Sequence, residues 1–388
     1  MQIKTITCHD VNNYGASLQA YALQCFLQRN GYEVEIIDYL PIYKSDRLNF
    51  FEYNRTSGKL FTILKYVPFL KPLVGLYDHL KVPGHITDYK FIGRKKPFNL
   101  FKRNHLKCSN LTYRTLEDLQ KNLPLADVYI AGSDQIWNSV GFNGRDSSYY
   151  CAFAPKNTKC ISYAASFGAS YIPQDQSEFV SKQLSRFYAI STRERSGVEI
   201  VEKLGYNATE VLDPVFLLDK DDWERLCSDE HKKEKYILVY DLDMNHPGVK
   251  QLCLGLAKKN NWKIYSINDF RECPYADYNI NNAGPIEFIE WIRDAQYVVC
   301  TSFHGTAFSI FFHKQFYTFP LYHGKNHARM VDFLHKMNLD NHFVKEQIEL
   351  SNLKAIDFEI VDKLLAYYRQ NSKQWLLTKL KDLADSHE

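Results

Sequence analysis

Short apolar runs alternate with amphipathic segments along the first half of this 388-residue chain. Ile3–Cys8 and Val34–Tyr39 are rich in β-branched residues and predict strands, and Leu18–Arg29 between them has apolar residues at helical spacing. This order is typical of a βαβ unit with parallel strands. Further strands are predicted at three apolar runs, Val128–Ala131, Cys160–Ala164 and Tyr188–Thr192. The first half is therefore predicted to form a parallel sheet covered by helices.

A second series of strands and helices begins after the charged stretch Asp219–Lys235. A helix is predicted at Pro285–Arg293, and the last helix, Ile360–Leu383, is expected to pack back on the first half. The length favours two domains, here 1–214 and 215–388. We predict an α/β fold with two Rossmann-like domains that face each other across a cleft, a GT-B-like arrangement. The strands of the second domain are predicted at Tyr236–Tyr240, Trp262–Ile267, Tyr297–Cys300 and Phe316–Phe319.

The formal net charge of +3 argues against a dedicated nucleic-acid binder. The charge is uneven, because residues 44–107 contain 14 Lys and Arg against four acidic residues, a local net charge of +10. This segment also contains eleven Phe and Tyr residues, which suggests peripheral contact with an anionic membrane surface or a phosphorylated acceptor. The alternative is a solvated region that packs over the first domain.

The nine cysteines include no C-x-x-C pair, and several lie within apolar patterns, which is typical of free thiols in a reducing compartment. The chain begins with a predicted strand rather than a signal peptide. We therefore expect a cytoplasmic protein, peripheral to the inner face of the membrane if residues 44–107 bind lipid.

Polar loops follow several predicted strands, where a doubly wound domain builds its ligand site. In the first loop, Gly15 permits a tight turn, and Asn13 offers a polar group at a helix start. A later loop contains Asp134 and Gln135, which can bind a hydroxylated ligand, with Trp137 as a stacking surface. Its alternative is an Asp-capped turn with the tryptophan in the domain core.

Cationic residues follow two further strands. Arg193 comes directly after a strand and can bind a carboxylate or phosphate through two hydrogen bonds, whereas a surface salt bridge is expected for Arg195. Lys325 and Arg329 add cations after the strand Phe316–Phe319. His323 and His327 lack an acidic partner, so no metal site is predicted there.

His304 lies where the strand ending at Cys300 becomes a helix, between Ser302 and Gly305. A helix start presents unpaired N–H groups and attracts anions, which makes this turn a candidate donor site. The alternative is a histidine that caps its own helix.

Taken together, these segments resemble the polysaccharide pyruvyl transferase family. The matching pieces occur in the family's order and cover nearly the whole chain: NNYGASLQAYALQ, GSDQIWN, SYAASFG, STRERSG, VLDPVF, TSFHGTAFS and GKNHAR. The resemblance implies transfer of a pyruvyl group from phosphoenolpyruvate to two hydroxyls of a sugar, forming a ketal and releasing phosphate. It also implies no metal or other cofactor, and an acceptor that is a surface-polysaccharide precursor, often lipid-linked.

By this resemblance His304 matches the family's catalytic histidine, either as general acid on the donor or as a group that stabilises the leaving phosphate. Arg193 is expected to act with it. Many members have an acidic residue in the first glycine-containing loop, which this chain lacks. Asp10, His9 and Asp134 are the candidates to replace it. A nucleotide-sugar glycosyltransferase and a non-catalytic sugar-binding protein of the same fold are the alternative functions.

Overall fold

The computed structural model describes residues 1–44, 88–242, 246–269, 271–321 and 327–385. Of the basic segment 44–107, residues 45–87 therefore lie outside the described residues, as do Lys325 and His323. None of the described helices has the length and apolar character needed to cross a bilayer.

The first half contains a six-stranded sheet in which every strand pair is parallel. Its order, β3-β2-β1-β4-β5-β6, is that of the Rossmann fold. The strands are β1 (Gln2–Ile6), β2 (Glu33–Tyr39), β3 (Cys108–Tyr113), β4 (Val128–Ala131), β5 (Lys159–Ser162) and β6 (Phe187–Ala189). The helices of this half are α1 (Tyr14–Arg29), α2 (Asp88–His105), α3 (Leu116–Lys121), α4 (Ser177–Leu184) and α5 (Arg195–Lys203), and a short pair, β7 (Ser191–Thr192) and β8 (Thr209–Glu210), lies beside the sheet.

The second half repeats the same plan with five parallel strands in the order β11-β10-β9-β12-β13. These strands are β9 (Tyr236–Tyr240), β10 (Lys263–Ile267), β11 (Tyr278–Ile280), β12 (Tyr297–Cys300) and β13 (Gln315–Thr318). The helices are α6 (Lys220–Glu224), α7 (Pro247–Asn260), α8 (Pro285–Asp294), α9 (Phe303–Phe311), α10 (Ala328–Lys336) and α11 (Phe358–Asp385). The predicted α/β fold with two Rossmann-like halves is confirmed.

The two halves share one hydrophobic core, which joins α1 to α8 and α9. Tyr14, at the start of α1, stacks on Phe288 with 4.4 Å between ring centroids, and its hydroxyl donates to the carbonyl of Ala283 at 3.1 Å. Helix α1 begins four residues before the predicted start, because the side chain of Asn13 caps it by accepting from the amide of Ala16.

A buried arginine on α2 also connects the halves. Arg94 donates to the carbonyl of Asn12 at 3.0 Å and to that of Asn268 at 3.2 Å, and it pairs with Asp269. Its guanidinium lies 4.8 Å from the centre of the Tyr14 ring. This arginine of the basic segment therefore serves internal contacts rather than an external anion.

Helix α11 crosses from the second half to the first. Near its start, Val361 and Leu365 belong to the core that joins the halves, whereas Leu376, Leu380 and Leu383 pack among residues of β1, α1 and β2. Midway, the hydroxyl of Ser372 accepts from the amide of Leu212 at 2.9 Å (a contact to the segment that links the two sheets).

We expect Leu380→Ala to lower the free energy of unfolding by about 2–5 kcal/mol, because it empties a fully buried position between α11 and the first sheet. Urea denaturation measures this loss. The matched control is Lys381→Ala, the next and exposed residue of the same helix, for which we expect a change within about 0.5 kcal/mol. Equal effects of the two substitutions would contradict the packing described for α11.

Candidate functional site

The strand order of each sheet reverses at one place, between β1 and β4 in the first half and between β9 and β12 in the second. Ligands of doubly wound sheets bind outside the carboxyl ends of the strands at such a switch point. The loop after β1 leads to Gly15 in the first turn of α1, the loop after β4 contains Asp134, and the loop after β12 leads to His304. The close approach of Gly15 and His304 brings the two switch points together.

His304 lies in the first turn of α9 and is 8% exposed. The hydroxyl of Ser302 caps this helix by accepting from the amide of Gly305 at 3.3 Å, so these two residues fix the turn that carries the histidine. The Nε2 atom lies 3.7 Å from a carboxylate oxygen of Asp213. Among the described residues this buried nitrogen has no hydrogen-bond partner, so the histidine does not cap its own helix through Nε2.

Gly15 explains how the ring of His304 fits between the halves. A Cβ atom built on Gly15 would overlap the ring at Nδ1 and Cε1. Only a residue without a side chain leaves this space, because protein interiors have no slack for an added methyl group. Gly15, in the first turn of α1, therefore packs directly against His304 of the second half.

Arg193 and Asp213 form a buried ion pair beside the histidine. The Nη1 atom of Arg193 donates to a carboxylate oxygen of Asp213 at 2.6 Å, and the side chains are 1% and 0% exposed. The same oxygen faces His304, and the guanidinium lies 5.2 Å from the centre of the Phe303 ring. Arg195, in contrast, forms an exposed pair with Glu199 at 3.9 Å, as predicted.

The protonation states of this pair follow from its surroundings. Burial raises the pKa of Asp213, but the neighbouring His304 ring and the charge and hydrogen bond of Arg193 outweigh burial and hold that pKa well below its usual range. Burial lowers the pKa of Arg193, and the charges of Asp213, Asp134 and Glu194 outweigh it in the opposite direction. Both groups are therefore charged near neutral pH.

The guanidinium of Arg193 retains unused donors. Its Nε and Nη2 atoms are buried and have no hydrogen-bond partner in the described part of the chain, although Asp134 and Glu194 lie 3.8 and 3.9 Å away. Buried donors without partners are rare and are a marker of ligand sites. With the Nε2 atom of His304, which faces the same oxygen of Asp213, they form a group of buried nitrogen atoms that have no hydrogen-bond partner among the described residues.

Arg329 brings a second cation to this region. When the Gln135 amide is oriented to satisfy its neighbours, its oxygen accepts from both terminal nitrogens of Arg329, at 2.8 and 3.1 Å. The charge of Arg329 also acts on the buried carboxyl of Glu194. Arg329, which was predicted to bind the donor, is thus in direct contact with Gln135, which was predicted to bind the acceptor, and the two residues belong to different halves. Lys325 lies outside the described residues.

The predicted role of Trp137 is wrong. Its ring is completely buried, stacks on Tyr150 with 5.3 Å between centroids, and donates its Nε1 hydrogen to the carbonyl of Tyr149 at 3.1 Å. A ring enclosed on all sides has no face for a sugar, so the core alternative holds. Asn13 is exposed, and its described contact is the cap of α1.

Two functional candidates escaped the sequence prediction. Asp213 lies in the VLDPVF segment, where it caps a short turn by accepting from the amide of Val215. The buried carboxyl of Glu194 accepts from the hydroxyl of Ser166 and the amide of Phe167, while its Oε2 atom has no hydrogen-bond partner among the described residues. The available signal was an acidic residue directly beside an apolar run, which is also typical of an ordinary cap.

The structure distinguishes the three candidates for the acidic residue that the first loop lacks. His9 is buried and bonded to Asp38 at 2.8 Å, and Asp10 pairs with Lys102 at 2.8 Å. His9, Asp38 and Cys108 place possible metal ligands within 4.8 Å of one another, but the ammonium of Lys102 already binds Asp38 at 2.6 Å. Neither His9 nor Asp10 forms a described contact with Arg193 or His304.

Asp134 is the candidate that lies beside the site. It is 3.8 Å from Arg193, and its side chain is 20% exposed. Its φ of 67° places it in the left-handed region, a conformation that non-glycine residues adopt rarely and often at functional sites. The loop thereby presents the carboxyl group next to the guanidinium.

Solved structures similar to this chain contain the same fold. The S. aureus MnaA structure with UDP has a TM-score of 0.50 at 10% identity, and the match covers 96% of this chain and 91% of that chain. The UDP-GlcNAc 2-epimerase from Neisseria meningitidis bound to UDP-GlcNAc has a TM-score of 0.49 at 8% identity, with coverage of 98% and 100%. At these identities the likeness shows the fold alone, and the GT-B-like arrangement is confirmed.

A search of the curated proteins gives no match. The family model described as polysaccharide pyruvyl transferase, in contrast, matches residues 13–321. This range includes the first loop with Gly15, the ion pair of Arg193 and Asp213, and His304. The chain belongs to the polysaccharide pyruvyl transferase family.

Proposed function

We propose that this chain transfers the pyruvyl group of phosphoenolpyruvate to two hydroxyls of a sugar in a polysaccharide precursor. The product is a cyclic ketal, and inorganic phosphate is released. The observation that carries this proposal is the cluster of unpaired nitrogen donors of Arg193 and His304 at the facing switch points. The family match supports a pyruvyl transferase that acts on a sugar acceptor.

Phosphoenolpyruvate carries a carboxylate and a phosphate, so its site needs several donors and positive charge. Arg193 offers the buried Nε and Nη2 atoms, which have no hydrogen-bond partner among the described residues. Arg329 adds a second guanidinium, which contacts Gln135. Lys325 remains a predicted third cation. No metal or cofactor takes part in the proposed reaction.

The reaction needs proton transfer at three places, namely C3 of the donor and each of the two sugar hydroxyls. The first sugar hydroxyl forms a bond to C2 of phosphoenolpyruvate and loses its proton, while C3 gains a proton and becomes a methyl group. The second hydroxyl then bonds to C2 and loses its proton as the C2–O bond to phosphate breaks, and this proton leaves with the phosphate. The sum is one ketal and one phosphate per donor, without any change in oxidation state.

His304 is the proposed group for the donor side. Either it delivers the proton to C3 or it binds the leaving phosphate, and in both roles the carboxylate 3.7 Å away on Asp213 balances the charge of an imidazolium. Asp134, partly exposed beside Arg193, is the proposed acceptor of the hydroxyl proton. In this assignment Asp134, in the loop after β4, takes the role of the acidic residue that the first loop lacks.

The acceptor is proposed to be a precursor of a surface polysaccharide, with the lipid-linked form and a cytoplasmic, membrane-peripheral location kept as predictions. The glycosyltransferase alternative would need acidic residues in the second half to hold a ribose, and Glu287 and Glu290 of α8 are the candidates. Glu287 accepts from the amide of Gly284 at 3.0 Å, and Glu290 from that of Ser228 at 2.7 Å, so both have structural partners.

We expect His304→Gln to lower acceptor-dependent phosphate release from phosphoenolpyruvate by about 10²–10⁴-fold, because glutamine cannot exchange a proton near neutral pH. The measurement uses a panel of lipid-linked and model glycosides. In D2O, the native product should contain one deuterium in its methyl group. His335→Gln, an exposed histidine of α10, is the control. Phosphate release that persists in His304→Gln, or release of a nucleoside diphosphate from a nucleotide sugar, would contradict the proposal.

We expect Arg193→Lys to weaken phosphoenolpyruvate binding by about ten- to hundredfold, because lysine keeps the charge beside Asp213 but lacks the planar set of N–H donors. Isothermal titration calorimetry measures the Kd without any acceptor. Arg195→Lys, exposed and only two residues away, should bind as the native chain does. Equal affinity of the two variants would exclude Arg193 from donor binding.

We expect Gly15→Ala to lower phosphate release by about 10²-fold, because the added methyl group must displace the ring of His304. The far-ultraviolet circular dichroism spectrum should stay native. Gly93→Ala is the matched control, since the Cβ atom at this exposed helical glycine meets nothing within 4 Å. The control should be neutral or slightly stabilising. Full activity of Gly15→Ala would show that the position of His304 is not critical.

A further inference from the structure

A second concave surface lies away from His304, at the edge of the sheet in the second half. It is lined by rings of β10, β11 and α8 and encloses a volume of about 370 Å³, which is within the range of small-ligand pockets. The proposed mechanism uses no residue of this surface. We call it the aromatic groove, and its lining includes Tyr265, Tyr278, Trp291, Asn282, Ala283 and Glu287.

The wall of the aromatic groove is built by strand register. Tyr265 and Tyr278 are direct partners in the parallel pair β10 and β11, and their rings stack with 4.7 Å between centroids and 25° between planes. Trp291 continues the wall at 5.3 Å from Tyr265, and the ammonium of Lys232 lies 4.3 Å from the centre of its ring. Each ring is held by its neighbour, so little freedom remains to be lost on binding.

The outer ring of this wall is open. β11 is the edge strand, so no further strand of the described sheet lies beyond Tyr278, which is 50% exposed. One face of its ring stacks on Tyr265, and half of the residue's surface is exposed. The exposed side chains of Asn282 and Glu287 add polar atoms to the rim. A flat apolar face with a polar rim matches a pyranose ring, which has a C–H face and a border of hydroxyl groups.

The groove reaches toward the catalytic cluster. Its lining residue Ala283 accepts from the hydroxyl of Tyr14, and Tyr14 precedes Gly15, which contacts His304. In the sheet, β11 is three strand spacings from β12, a distance of about 14 Å. This separation of the strands is comparable with the length of a short oligosaccharide.

Other occupants fit the surface less well. β11 has only three residues, too few for strand addition by a second copy. The carboxylate of Glu287 at the rim disfavours an anionic lipid surface.

We propose that the aromatic groove is an accessory glycan subsite, which binds sugar residues of the acceptor remote from the one that is pyruvylated. This inference rests on the sugar acceptor of the proposed function but not on the donor. It predicts that the protein prefers oligosaccharides over single sugars.

The test is saturation-transfer difference NMR with the full chain, without phosphoenolpyruvate. The probes are cellohexaose, mannohexaose, isomaltohexaose and chitohexaose, each beside its monosaccharide. We expect at least one hexasaccharide to bind, and its monosaccharide to bind more weakly. Tyr278→Ala and Tyr278→Leu should each weaken the hexasaccharide by roughly three- to tenfold. The leucine variant keeps an apolar side chain, which separates ring stacking from a general loss of packing.

Tyr367→Ala is the matched control, because Tyr367 is an exposed tyrosine of α11 at 62% exposure and its ring forms an edge-type contact with that of Tyr368. It should bind as the native chain does. Three results would overturn the subsite. They are no binding of any of the four hexasaccharides, binding by the Tyr278 variants as tight as by the native chain, or a dimer in sedimentation that Tyr278→Ala dissociates.

Phosphate release from phosphoenolpyruvate with a short glycoside separates this inference from the proposed function. Tyr278→Ala should leave that rate unchanged, because the variant does not alter the catalytic cluster. Hexasaccharide binding without phosphate release would count against the proposed function alone. Phosphate release with no groove binding would count against the subsite alone.

Discussion

The carboxylate of Asp213 is a buried negative charge at the junction of the two halves, and much of the site is arranged around it. A buried charge is stable only when an opposite charge and hydrogen bonds compensate it. Arg193 supplies that charge from the first half, and His304 approaches the same oxygen from the second. Because the carboxylate serves both, it fixes the guanidinium and the imidazole relative to each other.

Much of the fold follows from the sequence because the central strands are buried on both faces and are therefore continuously apolar. Val128–Ala131 and Tyr297–Cys300 are strands with the predicted bounds, and both are fully buried. The sequence pattern predicts that α1 starts at Leu18, whereas the helix starts at Tyr14. The prediction is late because Gly15 and Ser17 weaken the helical pattern and the cap by Asn13 is visible only in three dimensions.

The site was only partly predictable. His304, Arg193 and Gly15 lie after strands, where topology alone brings ligand groups together, and the structure places them near one another. Asp213 and Trp137 show the limits of this reasoning. A carboxyl beside a proline is typical of a turn, and a tryptophan after a polar loop fits a binding surface as well as a core. Partners distant in sequence decide both cases, and spacing along the chain does not reveal them.

The buried contacts of Arg94 have a mechanical consequence for the cleft. Its guanidinium binds the loop after β1 in one half and the loop after β10 in the other, and it also covers Tyr14. A wide hinge opening would pull the guanidinium away from the second half and break its ion pair with Asp269 and its hydrogen bond to Asn268. This one side chain therefore couples the separation of the two halves to the position of Tyr14, the residue before the glycine that packs against His304.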